Sequence, residues 1–191
     1  MDKKVLRKKY LAQRMLMTEQ DLQARSQKIC EHLLDFCLKH DKISQVFFFH
    51  PMRKEPEIQK LALQLSASYK LALPRISNKQ MEFRQWDLKI PLIKNSFEIH
   101  EPHKDAEIMK ADEHTIVFVP NLAVDKNGYR LGYGAGFYDK FLSEHSHALS
   151  IAINFSEFLV ETLPRDSWDR KVKWICTELG ILRSEGAFVL E

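Results

Sequence analysis

The chain has 191 residues, of which 45% are hydrophobic and 29% charged, and its formal net charge is +3. This length and apolar fraction suit one hydrophobic core, so we predict a single domain over residues 1–191. The small net charge disfavours a nucleic-acid-binding protein, and no apolar run approaches the length of a membrane span. We therefore expect neither a nucleic acid nor a membrane among its partners.

The cysteines and the N-terminal residues indicate the cellular compartment in which the protein is expected. Cys30, Cys37 and Cys176 are odd in number and form no CxxC pair, so the spacing predicts neither a disulfide framework nor a zinc site. The charged N-terminus lacks the apolar stretch of a signal peptide. We expect a soluble cytoplasmic protein with reduced thiols, and a monomer or weak homo-oligomer.

Two helices are predicted first along the chain. Apolar residues recur at helical spacing over residues 3–16, and Thr18 followed by Asp21 predicts the cap of a second helix that ends near His40. Residues 43–49 then form a predicted buried strand. Pro56 is expected in the first turn of a helix over residues 57–68.

The middle of the chain predicts short strands over residues 71–73 and 81–85, separated by Pro74 and a polar turn at residues 77–79. Residues 115–119 and 150–155 are apolar without polar alternation, as in strands covered on both faces. A helix is predicted between them at residues 137–144.

This alternation of strands and helices predicts an α/β fold. We expect a layered α/β/α, Rossmann-like arrangement with a central, mostly parallel sheet, preceded by the two N-terminal helices. In such folds ligands bind beyond the carboxyl ends of the strands.

A glycine-rich segment follows the strand at residues 115–119. It holds four of the six glycines of the chain: Gly128, Gly132, Gly134 and Gly136. Glycine lets backbone N–H groups approach a ligand, and a following helix N-terminus favours an anion such as phosphate. The pattern is neither a Walker A loop nor a dinucleotide fingerprint. A tight turn without a ligand stays open as the structural alternative.

Two charged residues favour the phosphate interpretation. The Arg130 guanidinium can pair with phosphate oxygens, and the Asp139 carboxylate can hold magnesium beside them. An acidic residue in the first helical turn also has a purely structural explanation in the helix dipole.

The segment resembles the signature of the 5-formyltetrahydrofolate cyclo-ligase family. The matching residues are Asp125, Gly128, Arg130, Leu131, Gly132, Gly134, Gly136, Phe137, Tyr138 and Asp139. Further matches lie elsewhere along the chain, at Lys3, Leu6, Arg7, Arg14, Glu55, Glu101, Pro102, Leu163, Pro164, Asp169, Thr177 and Glu178. The resemblance covers nearly the whole chain in order.

The resemblance implies an ATP- and magnesium-dependent conversion of 5-formyltetrahydrofolate to 5,10-methenyltetrahydrofolate, with ADP and phosphate released. It implies catalytic roles for Arg130 and Asp139, magnesium ligation by Asp139 and Asp169, and folate binding by Glu55. The implied ATP-binding residues are Lys3, Arg7, Arg130, Leu131, Gly132, Tyr133, Gly134, Ala135, Gly136, Phe137 and Tyr138. Lys3 and Arg7, four residues apart, are expected on one helix face.

The chain departs from the family pattern at several positions. Some family members carry basic residues where this chain has Tyr133 and Ala135, and Lys173 and Ile58 also differ. We therefore expect backbone amides to suffice at Tyr133 and Ala135, and we assign no role to Lys173 or Ile58. The aromatic and sulfur side chains of Phe48, Phe49, Met81, Phe83 and Trp86 are expected either in the pterin pocket or in the core.

Two other functions stay open at this point. An enzyme on a similar sheet could act on a sugar phosphate or a coenzyme A ester. A binding module could instead use the basic first helix to grip RNA or an acidic partner, in which case binding would weaken steeply with salt.

Overall fold

The computed structural model describes residues 2–77, 80–95 and 98–184. Residues 78–79 of the predicted polar turn and the chain after residue 184 lie outside this part. The helices are α1 Lys3–Met15, α2 Glu19–Leu38, α3 Gln59–Leu65 and α4 Phe137–Glu144. The strands are β1 Gln45–Phe47, β2 Lys70–Ser77, β3 Gln80–Gln85, β4 Ile93–Lys94, β5 His100–Glu101, β6 Ile108–Met109, β7 Thr115–Pro120, β8 Ala123–Asp125, β9 Arg130–Leu131, β10 Leu149–Ile153, β11 Leu159–Val160, β12 Trp174–Thr177 and β13 Gly180–Arg183.

The main sheet has the strand order β13-β12-β10-β7-β1-β2-β3-β6. The pairings from β12 through β10, β7 and β1 to β2 are all parallel. Strands β13, β3 and β6 pair antiparallel at the two edges. The predicted α/β fold with a mostly parallel central sheet after two N-terminal helices is thus confirmed.

Both faces of the sheet are buried, which explains the strands without polar alternation. Val46 and Phe48 pack in the cluster that contains the apolar residues of α1, α2 and α3. Phe47, between them in sequence, packs in the opposite cluster with Phe141 and Leu142 of α4. Successive side chains of a strand point to opposite faces, so one apolar run serves both layers.

Pro74 lies inside a strand, where the sequence predicted a break. Strand β1 pairs with β2 over Lys70–Ala72 and has ended before Pro74, so one side of the proline needs no ladder hydrogen bond. Pro74 still faces Phe83 across the antiparallel β2–β3 pair. This position, beyond the end of a neighbouring strand, is where a sheet tolerates proline.

The prediction that Pro56 opens a helix was wrong. Helix α3 begins at Gln59 after Ile58. The preceding backbone has other partners, because Glu55 N–H donates to the Met52 carbonyl at 2.9 Å and Glu57 N–H donates to Ser26 Oγ at 2.9 Å. These bonds hold the segment after β1 as a loop and place Glu55 beyond the carboxyl end of that strand.

Two small sheets complete the fold. Strands β11, β8 and β9 form one, in which β8 and β9 are an antiparallel hairpin that leads into the glycine-rich segment. Strands β4 and β5 form the other. Within the described ranges, no helix is both long and apolar enough to cross a membrane.

Candidate active site

The turn between β8 and β9 is organised by one buried carboxylate. Asp125 is fully buried, and its Oδ1 accepts hydrogen bonds from the backbone N–H groups of Asn127 and Tyr129, each at 3.0 Å. Its Oδ2 accepts from Leu163 N–H at 3.1 Å. The carboxylate satisfies backbone N–H groups that have no backbone acceptor in the turn, and this fixes the turn. Because Arg130 follows the turn directly, Asp125 helps to position Arg130.

Gly128 sits in that turn with φ of 89°, and a Cβ built there lies 2.6 Å from the Val172 carbonyl oxygen. We predict that Gly128→Ala destabilises the fold by about 1–3 kcal/mol, because a strained φ adds to a clash with backbone that cannot move cheaply. Urea unfolding measures the change. Gly132→Ala is the matched control, since a Cβ there meets nothing within 4 Å, and an equal loss in both variants would contradict the prediction.

The glycine loop, residues 132–136, runs from β9 into α4. Gly134, Ala135 and Gly136 are exposed, and Gly136 has φ of 72° at the N-cap of α4. The first N–H groups of a helix have no intrahelical acceptor and carry the positive end of its dipole. The loop therefore presents open backbone donors, as a phosphate site requires.

Arg7 of α1 lies against this loop. Its Nε donates to the Gly132 carbonyl at 2.9 Å, and a Cβ on Gly134 would lie 3.3 Å from the Arg7 Cζ. The close approach leaves little room for any side chain at Gly134. The first helix and the glycine loop, both assigned to ATP from the sequence, are thus in direct contact.

Arg130 is held by the first turn of α4. Its Nη2 donates to Asp139 Oδ1 at 3.0 Å and to the Arg170 carbonyl at 2.9 Å, and only 4% of its side chain is exposed. Burial lowers the pKa of Arg130, and the negative charge of Asp139 only partly offsets this effect. The Arg130 Nε–H is buried without a partner in the part of the chain that the structure describes.

Lys3 meets two carboxylates that follow β11. Its Nζ lies 2.6 Å from Asp166 Oδ2 and 2.5 Å from Asp169 Oδ2. Burial alone would lower the pKa of Lys3, but the hydrogen bonds to both aspartates outweigh it and raise that pKa. Lys3 and Arg7 thus reach the site from one helix face, as their spacing predicted.

A buried polar group lies below the loop. Glu55 is 2% exposed, and its Oε1 accepts from the Tyr133 hydroxyl at 2.8 Å and lies 3.6 Å from Arg14 Nη2. The fully buried Arg14 also donates to the Tyr133 hydroxyl and, at 2.8 Å, to the Asn121 carbonyl. Tyr133 therefore points to Glu55 rather than out of the loop.

The Glu55 carboxyl has an unusual pKa. Burial raises it to about 7, although Arg14, the Tyr133 hydroxyl, the Met52 N–H and Arg53 all favour the charged form. A carboxyl whose pKa is raised this far by burial is common at functional sites.

The sequence did not reveal how the site is supported. Arg14 was recognised in the family pattern but not as the buried partner of Glu55. Asn121 and Asn154, at the carboxyl ends of β7 and β10, were missed, and they join through Asn154 Nδ2 and Asn121 Oδ1 at 2.7 Å. Both positions follow apolar strands directly, which was the available signal.

The described residues contain no group of three or more His, Cys, Asp and Glu arranged to hold a metal. Magnesium, however, commonly uses only one or two protein carboxylates together with phosphate oxygens and water. Asp139 engages its neighbours through Oδ1 and Asp169 through Oδ2. Among the described residues, none of these hydrogen bonds reaches the other oxygen of either carboxylate, so each side chain keeps a hard oxygen donor of the kind that this mode uses.

The five candidates for a pterin pocket divide into two groups. Phe48, Phe49 and Phe83 are buried in the core. Trp86 lines a cavity of about 290 Å³ between residues 85–92 and 102–106, and Met81 is half-buried. Trp86 and Met81 thus keep part of their surfaces accessible, and Trp86 does so at the wall of a cavity.

Comparison with known proteins identifies relatives of one kind. The chain is 31% identical over 115 residues to a 5-formyltetrahydrofolate cyclo-ligase of Haemophilus influenzae, covering 59% of this chain and 62% of that protein. It is 30% identical over 118 residues to the Escherichia coli K12 enzyme of that name, covering 60% and 65%. The matches thus span slightly less than two thirds of these relatives.

A solved structure matches over a greater length. The NMR structure of Aquifex aeolicus 5,10-methenyltetrahydrofolate synthetase superposes with a TM-score of 0.86 at 29% identity, covering 100% of this chain and 97% of that one. A sequence model described as the 5-formyltetrahydrofolate cyclo-ligase family matches residues 1–178. This chain therefore belongs to the 5-formyltetrahydrofolate cyclo-ligase family.

Proposed function

We propose that this chain is a single-domain enzyme that converts 5-formyltetrahydrofolate to 5,10-methenyltetrahydrofolate while ATP is converted to ADP and phosphate. Family membership supports the reaction class. The observation that carries the proposal is the glycine loop, which lies between the cations of α1, the Arg130–Asp139 pair and the buried Glu55.

The loop is the proposed ATP phosphate site. Backbone N–H groups of Gly134, Ala135 and Gly136 would contact phosphate oxygens at the positive end of α4, and the buried Arg130 guanidinium would add positive charge beneath them. Lys3 and Arg7 would neutralise charge from the α1 side. Fixed donors of this kind stabilise the charge that develops during phosphoryl transfer.

The chemistry needs two substrates held in line. The formyl oxygen attacks the γ-phosphorus, forming a P–O bond and releasing ADP. The folate N10 then attacks the activated carbon, the N10 proton is lost, and the C–O bond breaks to release phosphate. Glu55 would hold the folate through its carboxylate, so that the formyl group meets the γ-phosphoryl group in a productive geometry.

Magnesium would be held by Asp139 and Asp169 and would neutralise phosphate charge when bound. These carboxylates are paired with Arg130 and Lys3. Arg130 and Lys3 are also assigned to ATP. The residues proposed to bind the phosphates and the residues proposed to bind magnesium are therefore paired with one another.

The arrangement of α1 favours this function over a nucleic-acid-binding module. Lys3, Arg7 and Arg14 turn toward the site and have protein partners. Lys4, Lys8 and Lys9 remain exposed. The cations that match the family pattern are thus the ones that the fold turns inward.

The test is a spectrophotometric assay for methenyl-folate formed from 5-formyltetrahydrofolate, with ATP and magnesium each present or omitted. We expect product only when both are present. Absence of product under all conditions would reject the proposal. If calorimetry still detected nucleotide binding in that case, the phosphate site would stand and the second substrate would be a different molecule, such as a sugar phosphate.

A further inference from the structure

Trp168 is an exposed aromatic side chain beside the proposed phosphate site. It is 64% exposed, whereas Trp86 and Trp174 are partly buried against the core. A large aromatic ring that stays exposed to water beside a concave site often marks a place where a ligand binds.

The turn that carries Trp168 is fixed on both sides. Asp166 N–H donates to Asp169 Oδ2 at 2.7 Å, and Asp169 N–H donates to the Asp166 carbonyl at 3.1 Å. Lys3 binds both carboxylates from α1. On the other side, Arg170 N–H donates to Asp139 Oδ1 at 3.1 Å. The turn is therefore tied to the first helix and to α4.

Trp168 forms one wall of a cavity of about 270 Å³. The other walls come from Arg170 and from the start and the second turn of α4, at Gly136, Asp139, Lys140, Ser143 and Glu144. The cavity thus begins at the end of the glycine loop and extends along α4. Its volume is near the lower end of the range of about 300–1,000 Å³ for small-molecule sites.

We propose that Trp168 is the stacking platform for the base of the nucleotide whose phosphates the glycine loop holds. The inference rests on the proposed function for the existence of a nucleotide, and it adds where the nucleoside lies. An indole face stacks on any flat heteroaromatic base. The Glu144 carboxylate and the Ser143 hydroxyl, in the same lining, offer acceptors to an amino group of the base or to ribose hydroxyls.

Calorimetric titration with two ligands tests the inference. Wild type and Trp168→Ala are each titrated with ATP and with inorganic triphosphate, both in the presence of magnesium. We expect the Kd for ATP to rise about tenfold in the variant, because base–aromatic stacking is lost. The Kd for inorganic triphosphate should stay within about twofold, since that ligand has no base.

Two further variants are matched to this test. Trp168→Phe keeps an aromatic face and should recover most of the ATP affinity. Leu179→Ala removes another exposed apolar side chain, 61% exposed, and should change neither Kd.

The possible contrary results are distinct. Unchanged ATP affinity in Trp168→Ala, or an equal loss for both ligands, would overturn the stacking role and leave the phosphate site intact. A wild-type protein that binds triphosphate as tightly as ATP would overturn it as well. A wild-type protein that binds neither ligand would reject the proposed function together with this inference.

Discussion

Arg130→Ala is expected to lower kcat/KM for ATP by about 10²–10³-fold, the usual loss when one preorganised donor to a developing negative charge is removed. Arg130 is nearly fully buried, and its Nη2 is held by Asp139 and by the Arg170 carbonyl. The guanidinium is already held in place in the free protein, so its charge is preorganised next to the start of the loop. Steady-state kinetics with ATP varied at saturating folate measure the effect.

Controls separate this role from a loss of folding. Lys126→Ala removes an exposed cation from the β8–β9 turn. Among the described residues, the Lys126 side chain forms an ion pair only with the exposed Glu161. This variant should leave the kinetics unchanged. Arg130→Lys keeps the charge but not the guanidinium geometry that binds both Asp139 and the Arg170 carbonyl, and it should fall between alanine and wild type. Unchanged ATP kinetics in a folded Arg130→Ala protein would remove Arg130 from the phosphate site.

The sequence predicted the central layers well because the local signals were strong. Helix α4 was predicted with its observed bounds, since Gly136 supplies the start and apolar residues follow at helical spacing. Strands β7 and β10 were found because continuous apolar runs suit strands buried on both faces. Strands of two or three residues, such as β9, carry too few side chains to show any period.

The sequence indicated which residues belong to the candidate site, but it did not indicate which of them contact one another. Lys3, Arg7 and Arg14 lie on one helix face, yet nothing local shows that Arg14 is fully buried against residues more than 100 positions away, such as Asn121. The direction of Tyr133 was also invisible, because a side chain in a glycine-rich loop can turn either way. Partners separated this far in sequence are set by packing, which a single sequence does not display.

Glu55→Gln is expected to raise the KM for 5-formyltetrahydrofolate by about tenfold or more at pH 8, and to change the KM for ATP much less. A hydrogen bond to a charged group contributes about 1.5–3 kcal/mol, and glutamine keeps the shape while removing the charge. Both KM values come from steady-state assays with each substrate varied in turn. A larger effect on the ATP KM than on the folate KM would reject the folate assignment.

The pH dependence sharpens this test. The Glu55 carboxyl has its pKa raised to about 7, so its charged fraction increases as pH rises from 6 to 8. If the carboxylate holds folate, kcat/KM for folate rises over that window in wild type and stays flat in Glu55→Gln. A rise that persists in Glu55→Gln would belong to another group.

Tyr133→Phe is the matched variant, because it removes one donor to the carboxylate and leaves Glu55 in place. The charged groups that face Glu55 are Arg14 from α1 and Arg53 from its own loop, with the Tyr133 and Tyr138 hydroxyls on the glycine-loop side. Loss of the Tyr133 hydrogen bond destabilises the charged form, so the pKa of Glu55 moves further up. The rise in kcat/KM for folate should then shift to higher pH, with activity recovered in alkaline buffer. A uniform loss without a shift would mean that Tyr133 supports the loop but does not set the charge of Glu55.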